Sequence, residues 1–133
     1  SGPLLDRIDL HVPVTRVPFQ ALAGEGIGEE SALVRARVTG ARMLQEARFR
    51  DVPGVHCNGQ MGPREIRSHC RPSREVARLL QAALDRMGLS ARAYHRILKV
   101  ARTIADLGES GDIAPSHAAE AIQYRSLDRS SPL

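Results

Sequence analysis

The sequence predicts an all-α domain, a small helical bundle preceded by an extended N-terminal segment. The 133 residues include only two Phe, two Tyr and no Trp. A core must therefore be built from aliphatic side chains and alanine, which suits packed helices better than a β-sandwich. Residues 91–107 contain no glycine or proline, and their apolar side chains recur every three or four positions, as on one face of a helix.

Length and charge limit the function classes. A chain of this length forms one domain and buries roughly two thirds of its unfolded surface. The formal net charge is +4, with 18 Arg and one Lys, and a basic domain suggests phosphate or nucleic-acid partners. A GC-rich genome also produces an arginine bias, and 15 acidic residues are interspersed, so both explanations stay open.

The two cysteines are too few for a disulfide scaffold, and no segment resembles a signal peptide or a membrane span. We therefore expect a cytoplasmic protein with reduced thiols and no membrane partner. The chain begins with Ser1-Gly2-Pro3 rather than with Met, and we expect it to be a piece of a longer protein.

The N-terminal 28 residues are predicted to be one unit. Apolar and polar residues alternate from Leu4 to Val17, which predicts a strand, and Pro13 and Pro18 restrict such a strand to a sheet edge. No partner strand follows, so we expect this strand to complete a sheet of an upstream core and to be loose here. The three glycines within residues 24–28 predict a flexible hinge.

Residues 29–126 are predicted to form the helical domain. A long helix begins at Glu29 and reaches about Arg50, and a loop connects it to a short helix with Pro63 at its first position. The long helix carries one stripe of side chains suited to packing: Val34, Val38, Ala41 and Gln45.

Three further helices complete the domain. Ser73 and Gly88 mark the start and end of one helix, and Ser90 caps the next, over 91–107, so that the two form an αα-hairpin. The last helix runs from about Pro115 to Arg125, and residues 127–133 are predicted to be a disordered tail.

Arg92 is the candidate site residue that stands out within these helices. It lies in the first turn of the helix over 91–107, where the macrodipole disfavours a cation. Two interpretations follow: Arg92 is an ordinary solvated side chain, or it awaits an anionic ligand.

Familiar ligand motifs are missing. The only lysine, Lys99, lies inside a predicted helix, so the chain has no Walker A loop. The glycines at 24, 26 and 28 lack the dinucleotide-binding spacing. The pairs His56-Cys57 and His69-Cys70 have the wrong spacing for a zinc knuckle or finger, and we predict no metal site.

A second candidate is Arg7, within Leu4-Leu5-Asp6-Arg7-Ile8-Asp9. Asp6 and Asp9 flank it and could hold its guanidinium in one orientation. An ordinary surface ion pair, which contributes little stability, is the alternative that the spacing favours.

Several motifs together resemble the C-terminal portion of magnesium-chelatase-like AAA+ ATPases of the ComM type. The resemblance extends over essentially the whole chain. It is carried by Ser1–Leu10 with its Leu-Leu-Asp-Arg motif, Val34-Arg35-Ala36-Arg37-Val38, Ser90-Ala91-Arg92-Ala93-Tyr94-His95-Arg96, Ala101–Leu107 and Glu120–Arg125.

This resemblance implies a role for each arginine. Arg7 matches the arginine finger, and Arg92 matches the sensor 2 arginine at the start of a lid helix, acting in cis or in trans. The implied cofactors, ATP and Mg²⁺, belong to the full-length ATPase. The implied partners are the upstream AAA+ core, neighbouring subunits of a homo-oligomeric, hexameric ring, and DNA undergoing branch migration. Walker A, Walker B and sensor 1 are absent, so the fragment alone is expected not to be an enzyme.

Two alternatives remain from the residues alone. One is a stand-alone basic helical module that binds DNA, and the other is a protein-interaction module without nucleotide chemistry. The final helix offers only Arg125 and one histidine as basic groups for DNA recognition.

Overall fold

The computed structural model describes residues 2–24 and 28–125, and these ranges contain helices and irregular segments but no strand. The predicted all-α class is confirmed. The helices are α1 (Gly2–Leu5, a single turn), α2 (Phe19–Ala23), α3 (Ser31–Arg48), α4 (Pro63–His69), α5 (Arg74–Met87), α6 (Ala91–Leu107) and α7 (Pro115–Gln123), with a 3₁₀ turn at Asn58–Gln60.

Local capping explains where the C-terminal helices begin and end. The Ser73 and Ser90 hydroxyls each accept the backbone N–H three residues later, at 3.2 Å. Gly88 ends α5 in the left-handed region, with φ of +61°. Helices α4 and α7 both have proline at the first position. A first-turn side chain caps the N-terminus of each helix. Glu65 accepts a hydrogen bond from the Gly62 N–H in α4, and His117 accepts one from the Ala114 N–H in α7.

Helix α6 is the centre of the bundle, because α3, α4, α7 and the 3₁₀ turn all pack against it. Alanines at the contact with α7 are fully buried, which lets the two helices approach closely. The core side chains are Phe49, Met61, Ile66, Cys70, Val76, Leu80, Ile97, Leu98, Ala101, Ile113, Ala118 and Ala121.

The predicted strand from Leu4 to Val17 does not form. Gly2–Leu5 is instead a helical turn, followed by hydrogen bonds from the Arg7 and Ile8 N–H groups to the Leu4 and Leu5 carbonyls, both 3.1 Å. Residues 10–18 have no regular secondary structure. A strand needs a neighbour to pair with its backbone groups, and the described residues offer none.

Helix α3 packs over only its C-terminal half. Ala41 and Gln45 are buried as predicted, but Val34 and Val38 on the same stripe are 38% and 46% exposed. The stripe predicted burial correctly only where α3 lies against α6.

A buried carboxylate joins α3 to α6. Asp106, 1% exposed, accepts two hydrogen bonds from Arg48, at 2.6 and 2.8 Å, one from the Asn58 amide at 2.8 Å and one from Arg102 Nε at 3.2 Å. Burial raises the pKa of Asp106, but the hydrogen bonds from Arg48 and Asn58 and the positive charges of Arg48 and Arg102 outweigh this effect. The net effect holds the pKa below its ordinary value of 3.8.

We expect Asp106→Asn to lower the free energy of unfolding by about 3 kcal/mol, because it leaves two largely buried guanidinium groups without a counter-charge. Urea unfolding at pH 7 measures this loss. Because the folded carboxyl has the lower pKa, its contribution is complete above pH 3.8 and disappears as the pH falls below that value.

The exposed Asp112 provides the matched control. Asp112→Asn should change the free energy of unfolding by less than about 0.5 kcal/mol. Equal decreases in the free energy of unfolding for the two substitutions would show that the buried Asp106 carboxylate stabilises the fold no more than an exposed one does.

Two glycine substitutions should have opposite effects on stability. Gly88→Ala should cost about 1 kcal/mol, because its φ of +61° is unfavourable for a residue with a Cβ. Gly40→Ala should add about 0.5–1 kcal/mol, because Gly40 lies inside α3 and an added Cβ meets no atom within 4 Å. Thermal and urea unfolding of both variants measure the two changes in the free energy of unfolding. Changes of the same sign in the two variants would contradict this prediction.

Candidate functional site

The Leu-Leu-Asp-Arg turn lies on the start of α6. Asp6 accepts a hydrogen bond from the Ser90 hydroxyl at 3.3 Å, and Asp9 forms an ion pair with Arg96. Ser90 is the N-cap of α6 and Arg96 lies in its second turn. Two contacts therefore dock the segment around Arg7 onto the N-terminal end of the central helix.

Arg125 holds the same segment from the other side. Its side chain is 1% exposed, and its guanidinium donates to the carbonyls of Ile8 and Leu5 and lies 3.7 Å from Asp6 Oδ1. A buried cation bound to backbone carbonyls fixes the path of the turn, because releasing it would leave those groups and the charge unsatisfied.

The backbone around His11 completes this docking. The His11 N–H donates to the Tyr124 carbonyl at 2.7 Å, and the buried His11 ring donates through Nε2 to the Leu5 carbonyl at 3.1 Å. Residues 5–11 therefore contact both α6 and the end of α7.

Arg7 itself is exposed on this turn, and no described residue pairs with its side chain. Asp6 and Asp9 do not hold its guanidinium, as the sequence had suggested they could, because both are already engaged by Ser90, Arg125 and Arg96. The flanking carboxylates thus fix the backbone beneath Arg7 and leave its side chain available.

Arg92 is exposed in the first turn of α6. It lines a shallow cavity of about 210 Å³ together with Met61, Pro63, His95 and Lys99, and no carboxylate lines that cavity. Since Asp6 contacts Ser90, two residues before Arg92, the structure places the Arg7 turn and Arg92 at the same end of the bundle.

Sequence reasoning missed the residues that build this arrangement, above all Arg125 and Arg96. A signal for Arg125 was present: it follows Ala121 and Ile122 by four and three positions, which continues the inward-facing stripe of α7. Arg125 is accordingly buried, and its guanidinium donates hydrogen bonds to backbone carbonyls.

The two histidine–cysteine pairs offer no metal centre among the residues that the structure describes, where no group of three potential ligands comes together. Cys70 packs in the core, and burial raises the pKa of its thiol to about 11. His69 packs edge-on against the Phe49 ring, with centroids 5.5 Å apart.

Comparison with known proteins identifies the family. Residues 28–125 match the model described as "Magnesium chelatase, subunit ChlI C-terminal". The chain belongs to this family. The magnesium chelatase C-terminal domain is a helical lid, which agrees with the bundle described above, and the family resemblance of the motifs is confirmed.

The relatives of this chain are longer proteins. It is 43% identical over 130 residues to "Competence protein ComM" of Haemophilus influenzae, covering 97% of this chain and 25% of that protein. It is 42% and 40% identical to "Uncharacterized protein YifB" of Escherichia coli and of Salmonella typhimurium, with the same coverage. The chain thus spans about a quarter of the length of these curated relatives and corresponds to the C-terminal domain of a ComM-like AAA+ protein.

Among residues 2–24 and 28–125, every helix is too short or too polar to cross a membrane.

We expect Arg125→Met to release residues 5–11 from the bundle while leaving most of the helical core folded, because the hydrogen bonds to the Ile8 and Leu5 carbonyls are lost. Hydrogen exchange of the His11 amide should accelerate at least tenfold, corresponding to about 1.4 kcal/mol of lost local stability. The exposed Arg78 on α5 provides the control: Arg78→Met should leave that amide unchanged, and unchanged exchange in both variants would show that Arg125 does not anchor the turn.

Proposed function

We propose that this domain supplies two arginines to an ATP site whose phosphate-binding core lies in another part of the same ComM-like protein. Arg7 is the arginine finger and Arg92 is the sensor 2 residue. The observation that carries the proposal is the docking of the Leu-Leu-Asp-Arg turn onto the start of α6. It puts two exposed guanidinium groups, each without a counter-ion among the described residues, at one end of the bundle.

The chemistry of these groups fits the triphosphate of a Mg²⁺-bound nucleotide. A guanidinium presents parallel N–H donors to phosphate oxygens and stays charged at any physiological pH. Arg92 gains further from its place in the first turn of α6, where the helix dipole also favours an anion. Neither residue abstracts or donates a proton; both stabilise negative charge that develops on the transferred phosphoryl group.

The surrounding residues set the position of each arginine. Asp6, Asp9 and Arg125 hold the backbone of the Arg7 turn, and Ser90 caps the helix that carries Arg92. Ser90 caps α6 and also donates a hydrogen bond to Asp6 of the Arg7 turn. A change in the orientation of α6 would therefore also move that turn. This is how the domain would couple nucleotide state to motion about the predicted hinge, of which residues 25–27 lie outside the described residues.

The wider role follows as part of the same proposal. One relative is named a competence protein, and we propose that the whole protein is a cytoplasmic ATPase that forms a hexameric ring and acts on DNA in recombination. This domain, without the ATP-binding core, would not hydrolyse ATP by itself.

The test replaces Arg7 or Arg92 by Ala in the longer protein that carries the AAA+ core. Loss of an arginine finger removes transition-state stabilisation, so Arg7→Ala should lower ATP turnover by about 10³ or more. Arg92→Ala should lower turnover or weaken nucleotide binding, measured by steady-state hydrolysis and by titration with a fluorescent ATP analogue.

Arg35, an exposed arginine on α3, provides the matched control. Arg35→Ala should retain at least half of the wild-type turnover, and Arg7→Lys should not restore it, since an ammonium lacks the two parallel donors. Wild-type turnover and ring assembly in both the Arg7→Ala and Arg92→Ala proteins would refute the two assignments.

A further inference from the structure

A basic groove runs between α4 and α6, and one of its two cavities is the cavity that Arg92 lines. Two adjoining cavities of about 210 and 220 Å³ form it, and they share Ile66 and His95 in their walls. No carboxylate lines either cavity, although the chain contains 15 acidic residues.

The basic residues of this groove come from two segments. Positions 92, 95, 96 and 99 lie on one face of α6 and are Arg, His, Arg and Lys. Arg67, in the last turn of α4, and Arg71, two residues after the end of that helix, also line the groove. The only acid within α6 is the buried Asp106, which Arg48 and Arg102 already neutralise.

Most of these positive charges are not balanced within the described structure. Asp9 takes up the charge of Arg96. Arg71 and Lys99 donate only to backbone carbonyls, those of Arg67 and Gly59, both at 3.2 Å. A carbonyl leaves the cation's charge uncompensated, so the groove retains a positive potential to which the N-terminal half of α6 adds its dipole.

We infer that this groove binds the phosphate backbone of a nucleic acid. The face of α6 from position 95 to 99 extends about 6 Å, over which one strand of B-form DNA carries about two phosphates. Arg67 and Arg71 line the adjoining cavity. This arrangement suits a linear polyanion, because the basic residues are divided between two adjoining cavities rather than gathered in one closed cluster.

This inference rests on the proposed function in one respect, the expectation that the whole protein acts on DNA, and it names the surface that would do so. Arg92 remains assigned to the proposed ATP site and is not counted among the nucleic-acid contacts. The groove residues tested are therefore Arg67 and Arg71, which lie outside the cavity that Arg92 lines.

The experiment measures binding of the 133-residue chain to a fluorescein-labelled 30-base-pair DNA by anisotropy, over a series of salt concentrations. The variant is Arg67→Gln/Arg71→Gln. Each lost phosphate contact should reduce the slope of log K against log salt by about 0.9, so the slope should fall by about 2 and the affinity at low salt at least tenfold.

A charge-matched variant on α3, Arg35→Gln/Arg42→Gln, should change the slope by less than one, since neither residue lines the groove. Circular dichroism and the unfolding midpoint check that each variant is folded. Should the double variant be destabilised, Arg67→Gln alone should reduce the slope by about 0.9.

Equal losses in the groove and control variants would overturn the inference, as would an absence of DNA binding by the wild-type chain at low salt. Equal competition by polyglutamate of matched charge would also overturn it, because the groove would then attract any polyanion. ATP turnover separates this result from the proposed function: the groove variant should retain turnover measured without DNA, whereas Arg7→Ala and Arg92→Ala should lose it.

Discussion

The buried carboxylate of Asp106 determines how the helices of this bundle are oriented. It is reached by Arg48 from α3, by Asn58 from the 3₁₀ turn and by Arg102 from its own helix, so three segments distant in sequence meet at one group. Burying these charges is unfavourable unless each is paired and hydrogen-bonded. All of these partners reach Asp106 at once, so the network favours arrangements of α3 against α6 that keep every contact.

Arginine serves two opposite purposes in the molecule. Arg48, Arg102 and Arg125 are largely or fully buried and bind carboxylates or backbone carbonyls, so they stabilise the fold. Arg7 and Arg92 are exposed and lack such partners within the described ranges. The difference comes from the surroundings of each side chain rather than from its chemistry, since all five carry the same planar cation. Composition alone therefore overstates how much of the positive charge is available to ligands.

The sequence predicted α4 to α7 closely, because their limits depend on local interactions: serine caps at Ser73 and Ser90, prolines at Pro63 and Pro115, and the left-handed Gly88. For α3 the prediction was wrong, because half of its stripe finds no neighbour to pack against. The strand from Leu4 to Val17 was expected only beside an upstream sheet and stays a prediction. Local sequence features singled out Arg7 and Arg92, and the family resemblance implied their roles. Their location at the same end of the bundle became clear only from the tertiary contacts of Asp6 and Asp9.

The Ser90 hydroxyl has a consequence for mechanics. It accepts the Ala93 N–H and donates to Asp6, so a single oxygen belongs both to the helix cap and to the docked turn. Fraying of the first turn of α6 would weaken the hydrogen bond from Ser90 to Asp6. Displacement of the Arg7 turn would in the same way disturb the N-cap of α6. Movement of either segment is therefore transmitted to the other through the Ser90 hydroxyl, beside the second link that Asp9 and Arg96 provide.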